Sequence, residues 1–324
     1  MQTSKRNWVA EGQNYRAPSK INLFLAIHER DALRKLHRLT SFLLPLDLCD
    51  ELFISRQGNV DLDITRARAI PLGRVSFTID VRGHEASLIS DQILSKVFQL
   101  WSRKYSLAED YKIRLLKNIP LKAGLGGGSS DAAVLLRFLR DVQQPSPHYD
   151  DLISLALACG SDVPFFLRPE PSVVRGFGEE IERLGTFYPG KNQSQTWLLF
   201  KPAYAVATAD AYGCLRERAS EFSLPESESQ KRLDESLQSF AEKNPKDWRF
   251  YNSFQKLFVE RFPPISPLLH ALKAMHYSYG MSGSGSTWFV PLEMGDDGGD
   301  VVRQVRDHLG PGVWIAKASG WSSM

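Results

Sequence analysis

Between residues 19 and 27 the side chains alternate in character: Ile21, Leu23, Leu25 and Ile27 fall on one face, and Lys20, Asn22, Phe24 and Ala26 on the other. A period of two is that of a β-strand, so this segment predicts a strand with a polar patch on it. Runs at 38–48, 52–56, 75–81 and 111–116 predict further strands. Between the last two, Ile93, Leu94, Val97, Phe98, Leu100 and Trp101 recur at helical spacing. The first half is therefore expected to mix strands with helices. After Pro120, the glycine-rich stretch Lys122-Ala-Gly-Leu-Gly-Gly-Gly-Ser-Ser-Asp131 leads into strong helix formers over 132–142.

A further helix is expected over 150–159, stopped by Gly160, with Ser161-Asp162-Val163-Pro164 reading as the cap and first turn of the next. The Ser- and Glu-rich stretch 220–230, with one proline, predicts a loop connecting the halves. Helical patterns at 253–261 and 267–276 lead to a second glycine run, Gly280-Met-Ser-Gly-Ser-Gly-Ser286. A short apolar strand, a helix over 300–309 and a last strand near 313–316 complete the chain, with no internal repeat.

At 324 residues the chain exceeds what one core usually supports, so two lobes are expected, 1–170 and 171–324. Hydrophobic residues at 43% and charged residues at 24% match a soluble globular protein. Forty Lys and Arg against 37 Asp and Glu leave a net charge of +3, too little to argue for a nucleic-acid or membrane surface. No secretory signal is visible in residues 1–12 and no later stretch approaches the ~20 apolar residues of a membrane helix, so a cytoplasmic protein is expected. Cys49, Cys159 and Cys214 lie far apart, which excludes a CxxC pair and a Cys-based zinc site.

The loop Gly124-Leu125-Gly126-Gly127-Gly128-Ser129-Ser130 suits a polyanion. Glycine lets the backbone approach phosphate closely, and the following helix N-terminus offers free N–H groups and the positive end of its dipole. It is neither a Walker A loop, which ends in Gly-Lys-Ser/Thr, nor a dinucleotide-binding GxGxxG fingerprint, and the HRD and DFG triplets of protein kinases are absent. A flexible turn capped by Ser129 and Ser130 is the alternative for such a run in isolation.

The order of the motifs carries more than any one of them. Pro18-Ser-Lys20-Ile-Asn-Leu-Phe24, Asn118-Ile-Pro-Leu-Lys-Ala-Gly-Leu-Gly-Gly-Gly-Ser-Ser-Asp-Ala-Ala133, Gly160-Ser-Asp-Val-Pro-Phe165 and Met281-Ser-Gly-Ser-Gly-Ser286 resemble, in sequence order, the motifs of the GHMP small-molecule kinases. The resemblance spans nearly the whole chain. It implies a two-lobed α+β fold with the active site in the cleft between lobes, and ATP with Mg2+ as the phosphoryl donor. Within the family, the lysine-asparagine strand, the triple-glycine loop and the Gly-x-Asp-Val-Pro segment are most similar to the members that phosphorylate the tertiary 2-hydroxyl of a diphosphocytidyl methylerythritol in isoprenoid precursor synthesis. A homoserine, mevalonate or sugar kinase, or a catalytically silent ligand-binding relative, is the alternative.

The resemblance also implies roles. Asp162 corresponds to the catalytic base that receives the hydroxyl proton, and Lys20 to the lysine that polarises the hydroxyl and meets charge on the γ-phosphate. Lys117 corresponds to a lysine near the nucleotide, with Gly124, Leu125, Gly126, Gly127, Gly128, Ser129 and Ser130 cradling its phosphates. Asn22, on the same strand face as Lys20, is expected to hold substrate. For the cytosine end, His37, Thr208 and Tyr212 are expected to bind, with Tyr212 stacking on the base. The chain departs from the family at Leu36, where a stacking tyrosine is usual, and at Ser87, where an asparagine near the adenosine is usual. Ser129 and Ser130 are the loop's own candidates for Mg2+, the rest of whose ligands would be phosphate and water. The acidic run Asp296-Asp-Gly-Gly-Asp300 lacks the spacing of a calcium loop.

Overall fold

The computed structural model describes residues 12–56, 68–72, 75–83, 92–105, 110–143, 145–185, 194–204, 211, 213–214 and 217–322. In chain order its first elements are strands β1 (Gln13–Arg30), β2 (His37–Arg56), β3 (Arg68–Leu72) and β4 (Val75–Gly83), helix α1 (Gln92–Ser102) and strand β5 (Tyr111–Lys117). Helices α2 (Gly127–Val142), α3 (Tyr149–Cys159) and α4 (Val163–Leu167) follow, then strands β6 (Ser172–Gly176), β7 (Glu180–Arg183) and β8 (Thr196–Lys201). The last part holds helices α5 (Ala219–Phe222) and α6 (Glu226–Glu242), strand β9 (Tyr251–Asn252) and helices α7 (Gln255–Arg261) and α8 (Ile265–Ala274). Strands β10 (Gly280–Met281) and β11 (Trp288–Pro291), helix α9 (Gly299–Leu309) and strand β12 (Trp314–Ser319) end it.

The chain divides into two compact units whose segments interleave. The first comprises 1–19, 49–121 and 126–168; the second comprises 20–48, 122–125 and 169–324. Segments 20–48 and 122–125 sit with the C-terminal half.

In the first unit the strand order is β3-β4-β5-β2. β4 runs parallel to β5, and the later half of β2 pairs antiparallel with β5 from Glu51 opposite Leu116 to Arg56 opposite Tyr111. Helix α2 packs against α1, α3 and α4. It buries Ala132, Ala133, Val134, Leu135, Leu136, Phe138 and Leu139, so it is apolar nearly all round, as a helix enclosed by other helices must be.

The second unit holds an antiparallel sheet in the order β10-β11-β8-β12. Trp288 and Val290 of β11 join Leu198 and Phe200 of β8, Leu257 and Phe258 of α7, Leu268 and Leu272 of α8 and Val301 and Val305 of α9 in one core. In the same unit the early half of β2 pairs with β6, β6 with β7, and β1 runs parallel to β9 with Phe24 opposite Tyr251.

Three expectations change. The runs 38–48 and 52–56 are one strand, because Asp50, which interrupts the apolar pattern, is fully buried inside it and paired. Helix α2 begins at Gly127 rather than at residue 132, so the last two glycines of the loop and both serines form its first turn. The expected loop 220–230 is instead helical at both ends: α5 occupies 219–222 and α6 starts at Glu226. Glu226 and Glu228 lie in the first turn of α6, where the dipole favours negative charge, and Ser229, Leu233, Ser236 and Phe240 recur at helical spacing as its buried face. Among the described residues no helix is long and apolar enough to cross a membrane.

Candidate active site

Three short segments of the second unit clasp one another. Lys20 in β1 donates its backbone N–H to the Leu125 carbonyl at 2.9 Å, and the Thr287 N–H reaches the Ala123 carbonyl at 3.2 Å. The Ser282 hydroxyl donates to the Gly124 carbonyl at 2.9 Å. So β1, the first glycine run and the second glycine run form one hydrogen-bonded cluster. The approach is close enough that only glycine fits: a Cβ on Gly124 would stand 2.1 Å from the Ser282 carbonyl oxygen, and Gly124 is left-handed at φ +74°. Leu125 is buried within it.

Asn22 lies at the centre of this cluster. Its Oδ1 accepts from the Lys20 Nζ at 2.6 Å and from the Gly283 backbone N–H at 2.8 Å, while its Nδ2 donates to the Ser41 hydroxyl at 2.8 Å. Asn22 is 5% exposed, and Lys20, at 3%, is almost as enclosed. This amide, expected to hold substrate, links the Lys20 ammonium to the second glycine turn. Asn252 supports the same turn, donating to the Met281 and Gly283 carbonyls.

His37 opens β2, half-buried, and donates from Nδ1 to the His28 carbonyl at 3.0 Å, which leaves Nε2 as the ring's other polar atom. Leu36 is 56% exposed beside it. Thr208 and Tyr212 lie outside the described residues, as does Ser87.

The first unit holds the rest of the glycine loop. Gly126 occupies the N-cap position of α2 in the left-handed region, with φ 74° and ψ 13°. Gly127, Gly128 and Ser129 follow half-buried in the first turn, and the Ser130 N–H closes that turn onto the Gly126 carbonyl at 2.9 Å. The Ser130 hydroxyl is buried and has no hydrogen-bond partner. Asp162 stands at the N-cap position of α4, ahead of Pro164, but with helical backbone angles and no capping hydrogen bond from its side chain. A cap needs a side-chain oxygen on the N2 or N3 amide, so helix capping does not account for Asp162.

Lys117, at the end of β5, is only 4% exposed. Its ammonium contacts Asp50 Oδ2 and, at 2.8 Å, Asp131 Oδ2. Asp50 also accepts the backbone N–H groups of Asn118 and Ile119 at 2.7 and 2.8 Å. Asp131 has no partner at Oδ1, and burial pushes its carboxyl up to about 7 against the opposing pull of the Lys117 ammonium. The two carboxylates hold Lys117 above its ordinary value although burial works the other way. Sequence reading names Lys117 and passes over Asp50 and Asp131; an acid inside an apolar strand, as at Asp50, was the signal available.

Among the described residues no group of three or more His, Cys, Asp or Glu side chains is arranged to hold a metal ion.

Comparison with known proteins covers most of the chain. The family model described as GHMP kinases N terminal domain matches residues 92–169. The 4-diphosphocytidyl-2-C-methyl-D-erythritol kinase of Pseudothermotoga lettingae is 31% identical over 287 residues, which cover 85% of this chain and 90% of the relative. The protein of the same name from Methylacidiphilum infernorum is 30% identical over 305 residues, 92% of this chain and 93% of the relative. Among solved structures, a 4-(cytidine 5'-diphospho)-2C-methyl-D-erythritol kinase superposes with a TM-score of 0.64 at 26% identity, covering 95% of this chain and all of that one.

Proposed function

We infer the activity of this chain from its kinship: it belongs to the 4-diphosphocytidyl-2-C-methyl-D-erythritol kinase family, has the two-lobed GHMP kinase fold, and transfers the γ-phosphoryl group of ATP to the 2-hydroxyl of 4-diphosphocytidyl-2-C-methyl-D-erythritol. The products are ADP and the 2-phosphate, an intermediate of isoprenoid precursor synthesis. The observation that carries this reading is the length of the match, about nine-tenths of a relative of that name at 31% identity.

In this reading the substrate hydroxyl oxygen forms the new bond to the γ-phosphorus as the bond to ADP breaks, and the hydroxyl proton passes to the Asp162 carboxylate. Phosphoryl transfer asks little covalent chemistry of a protein; it asks for position and for opposite charge where charge builds up. Support for Asp162 as base comes from its carboxylate not being used as a helix cap. Lys20 supplies positive charge at the transferring group and is held for that by Asn22, which acts here by orienting the ammonium. The backbone N–H groups at the start of α2, which no earlier carbonyl of the helix can pair, receive the phosphates of ATP, with Gly124 and Gly126 shaping the turn before them.

A Mg2+ ion bound with ATP would supply positive charge against the phosphates. The Ser129 hydroxyl and the buried Ser130 hydroxyl, which has no hydrogen-bond partner, are the loop side chains that would meet the ion, with phosphate oxygens and water supplying the rest. His37, Thr208 and Tyr212 bind the cytidine end. The exposed Leu36 gives an apolar contact where an aromatic ring is usual in the family.

The direct test is ATP turnover with a panel of alcohols. Formation of a phosphomonoester on the tertiary carbon, seen by phosphorus NMR with the diphosphocytidyl substrate and absent with homoserine, mevalonate and galactose, is the expected result. Turnover of another acceptor with the diphosphocytidyl substrate inert would overturn it.

A further inference from the structure

The geometry points to Asp50 as a positioning residue for nucleotide binding, one that fastens the chain on both sides of the first unit's phosphate-binding turn. It rests on the kinase reading for the identity of the ligand.

Asp50 is completely buried in the middle of a strand, where an acid is tolerated only when every lone pair in reach is satisfied. The cluster does this unequally. Asp50 Oδ1 takes the two successive backbone donors of Asn118 and Ile119, which begin the segment leading to the glycine turn, and Oδ2 takes the Lys117 ammonium. The Asn118 side chain returns to the Cys49 carbonyl next to Asp50, so both chains are stitched at that point. On the far side, a Cβ on Gly127 would stand 3.1 Å from Asp50 Oδ2, which puts the carboxylate directly against the first residue of α2. The ammonium that Asp50 holds also reaches Asp131 on the same helix. One carboxylate therefore touches the segment before the turn, the first residue of the helix after it, and the cation that ties that helix down.

Asp131 is not its equal. It accepts a single donor and leaves Oδ1 without a partner. Burial raises the Asp131 carboxyl against the pull of the Lys117 ammonium. Asp50 is therefore the carboxylate held from three sides, and Asp131 the one held at a single oxygen.

This difference makes the test asymmetric. Asp131→Asn keeps the shape of the side chain and an oxygen for the single donor that Asp131 accepts. Asp50→Asn cannot serve its partners: an amide has one oxygen, and turning it to the two backbone donors points its NH2 group at the Lys117 ammonium. Asp50→Ser removes that clash, leaves a one-to-one Lys117–Asp131 pair, and still loses the double anchor. We expect Asp50→Asn and Asp50→Ser to raise the Michaelis constant for ATP by about tenfold or more while the constant for the alcohol substrate moves by less than about threefold. Asp131→Asn is expected to leave the ATP constant within about threefold of wild type. Calorimetric titration with adenylyl imidodiphosphate reads the same shifts as dissociation constants, so a failure to phosphorylate the diphosphocytidyl substrate would count against the proposed acceptor and not against Asp50. An unchanged ATP constant in Asp50→Ser, an equal rise for both substrates, or a rise in Asp131→Asn as large as that in the Asp50 variants would overturn the assignment. Should neither Asp50 variant fold, Asp131→Asn decides alone: a tenfold loss of nucleotide affinity there overturns it, and near-wild-type affinity supports it.

Discussion

The Asn22 side-chain oxygen accepts the backbone N–H of Gly283 at 2.8 Å, across 261 positions of sequence. The same oxygen holds the Lys20 ammonium, so one amide sets both the proposed catalytic lysine and the turn of the second glycine run. Asn22→Ala should therefore lower kcat by about 10- to 100-fold while the Michaelis constant for the diphosphocytidyl substrate moves less than about threefold. Leaving buried donors unpaired should also cost about 1–3 kcal/mol of stability, measurable by urea unfolding. A large rise in that Michaelis constant with kcat intact would mean that Asn22 touches substrate.

Asp162 makes a cleaner test of chemistry because its side chain caps nothing. Asp162→Asn should reduce turnover by roughly 10²–10⁴-fold, the usual contribution of a positioned general base, with ATP affinity retained. A residue acting only as a helix cap would instead lose about 1 kcal/mol of stability with turnover intact. Melting curves and single-turnover rates on one preparation separate the two.

The two left-handed glycines of the first run should respond differently to a side chain. Gly124→Ala meets a carbonyl at 2.1 Å as well as an unfavourable φ, so loss of folded protein is expected. Gly126→Val keeps the chain folded at reduced stability and weakens ATP, because the added side chain blocks approach of phosphate to the turn. The diphosphocytidyl constant should hold. Soluble yield, thermal melts and the two Michaelis constants check both.

Asp131 gives the protein a pH signature. Its folded value, raised by burial to about 7, exceeds the ordinary carboxylate value of 3.8, so the folded state keeps a proton that the unfolded chain releases. The resulting contribution is fully present below about pH 4 and is lost as pH rises through about 7. Urea unfolding of wild type should accordingly lose stability relative to Asp131→Asn across that window. Parallel curves from pH 4 to 8 would contradict it.

Tyr212 carries the test of base recognition. Tyr212→Ala should weaken the cytidine substrate by about 1–3 kcal/mol with ATP unaffected, and Tyr212→Phe should lose little because the stacking face survives. Michaelis constants for both substrates decide it. Unchanged affinity for the cytidine substrate in a stable Tyr212→Ala protein would remove the residue from the site.

What the sequence by itself determined were the local elements and the order of the motifs. Alternation over 19–27 marks β1, although both faces of that stretch are buried in the fold, and the spacing of Leu94, Val97, Phe98 and Trp101 marks α1, because a helix with one buried side must repeat its apolar residues at its own period. Gly160 and Pro164 punctuate the chain at the end of α3 and the start of α4 through backbone properties of those residues alone. The tertiary structure decided which polar groups are tied to one another. Asp50 reads as a break between two strands until Lys117 and two backbone amides, 67 to 69 positions away, remove the cost of burying it. Asn22 reads as a polar residue on a strand face until Ser41, Gly283 and Lys20 meet its amide. Residues 226–230 read as a loop from their serines and glutamates, and become helical because Leu233 and Phe240 further along bury one face of α6. Periodicity is written in neighbouring residues, whereas the free energy of a buried charge or amide depends on partners that only folding brings within 3 Å.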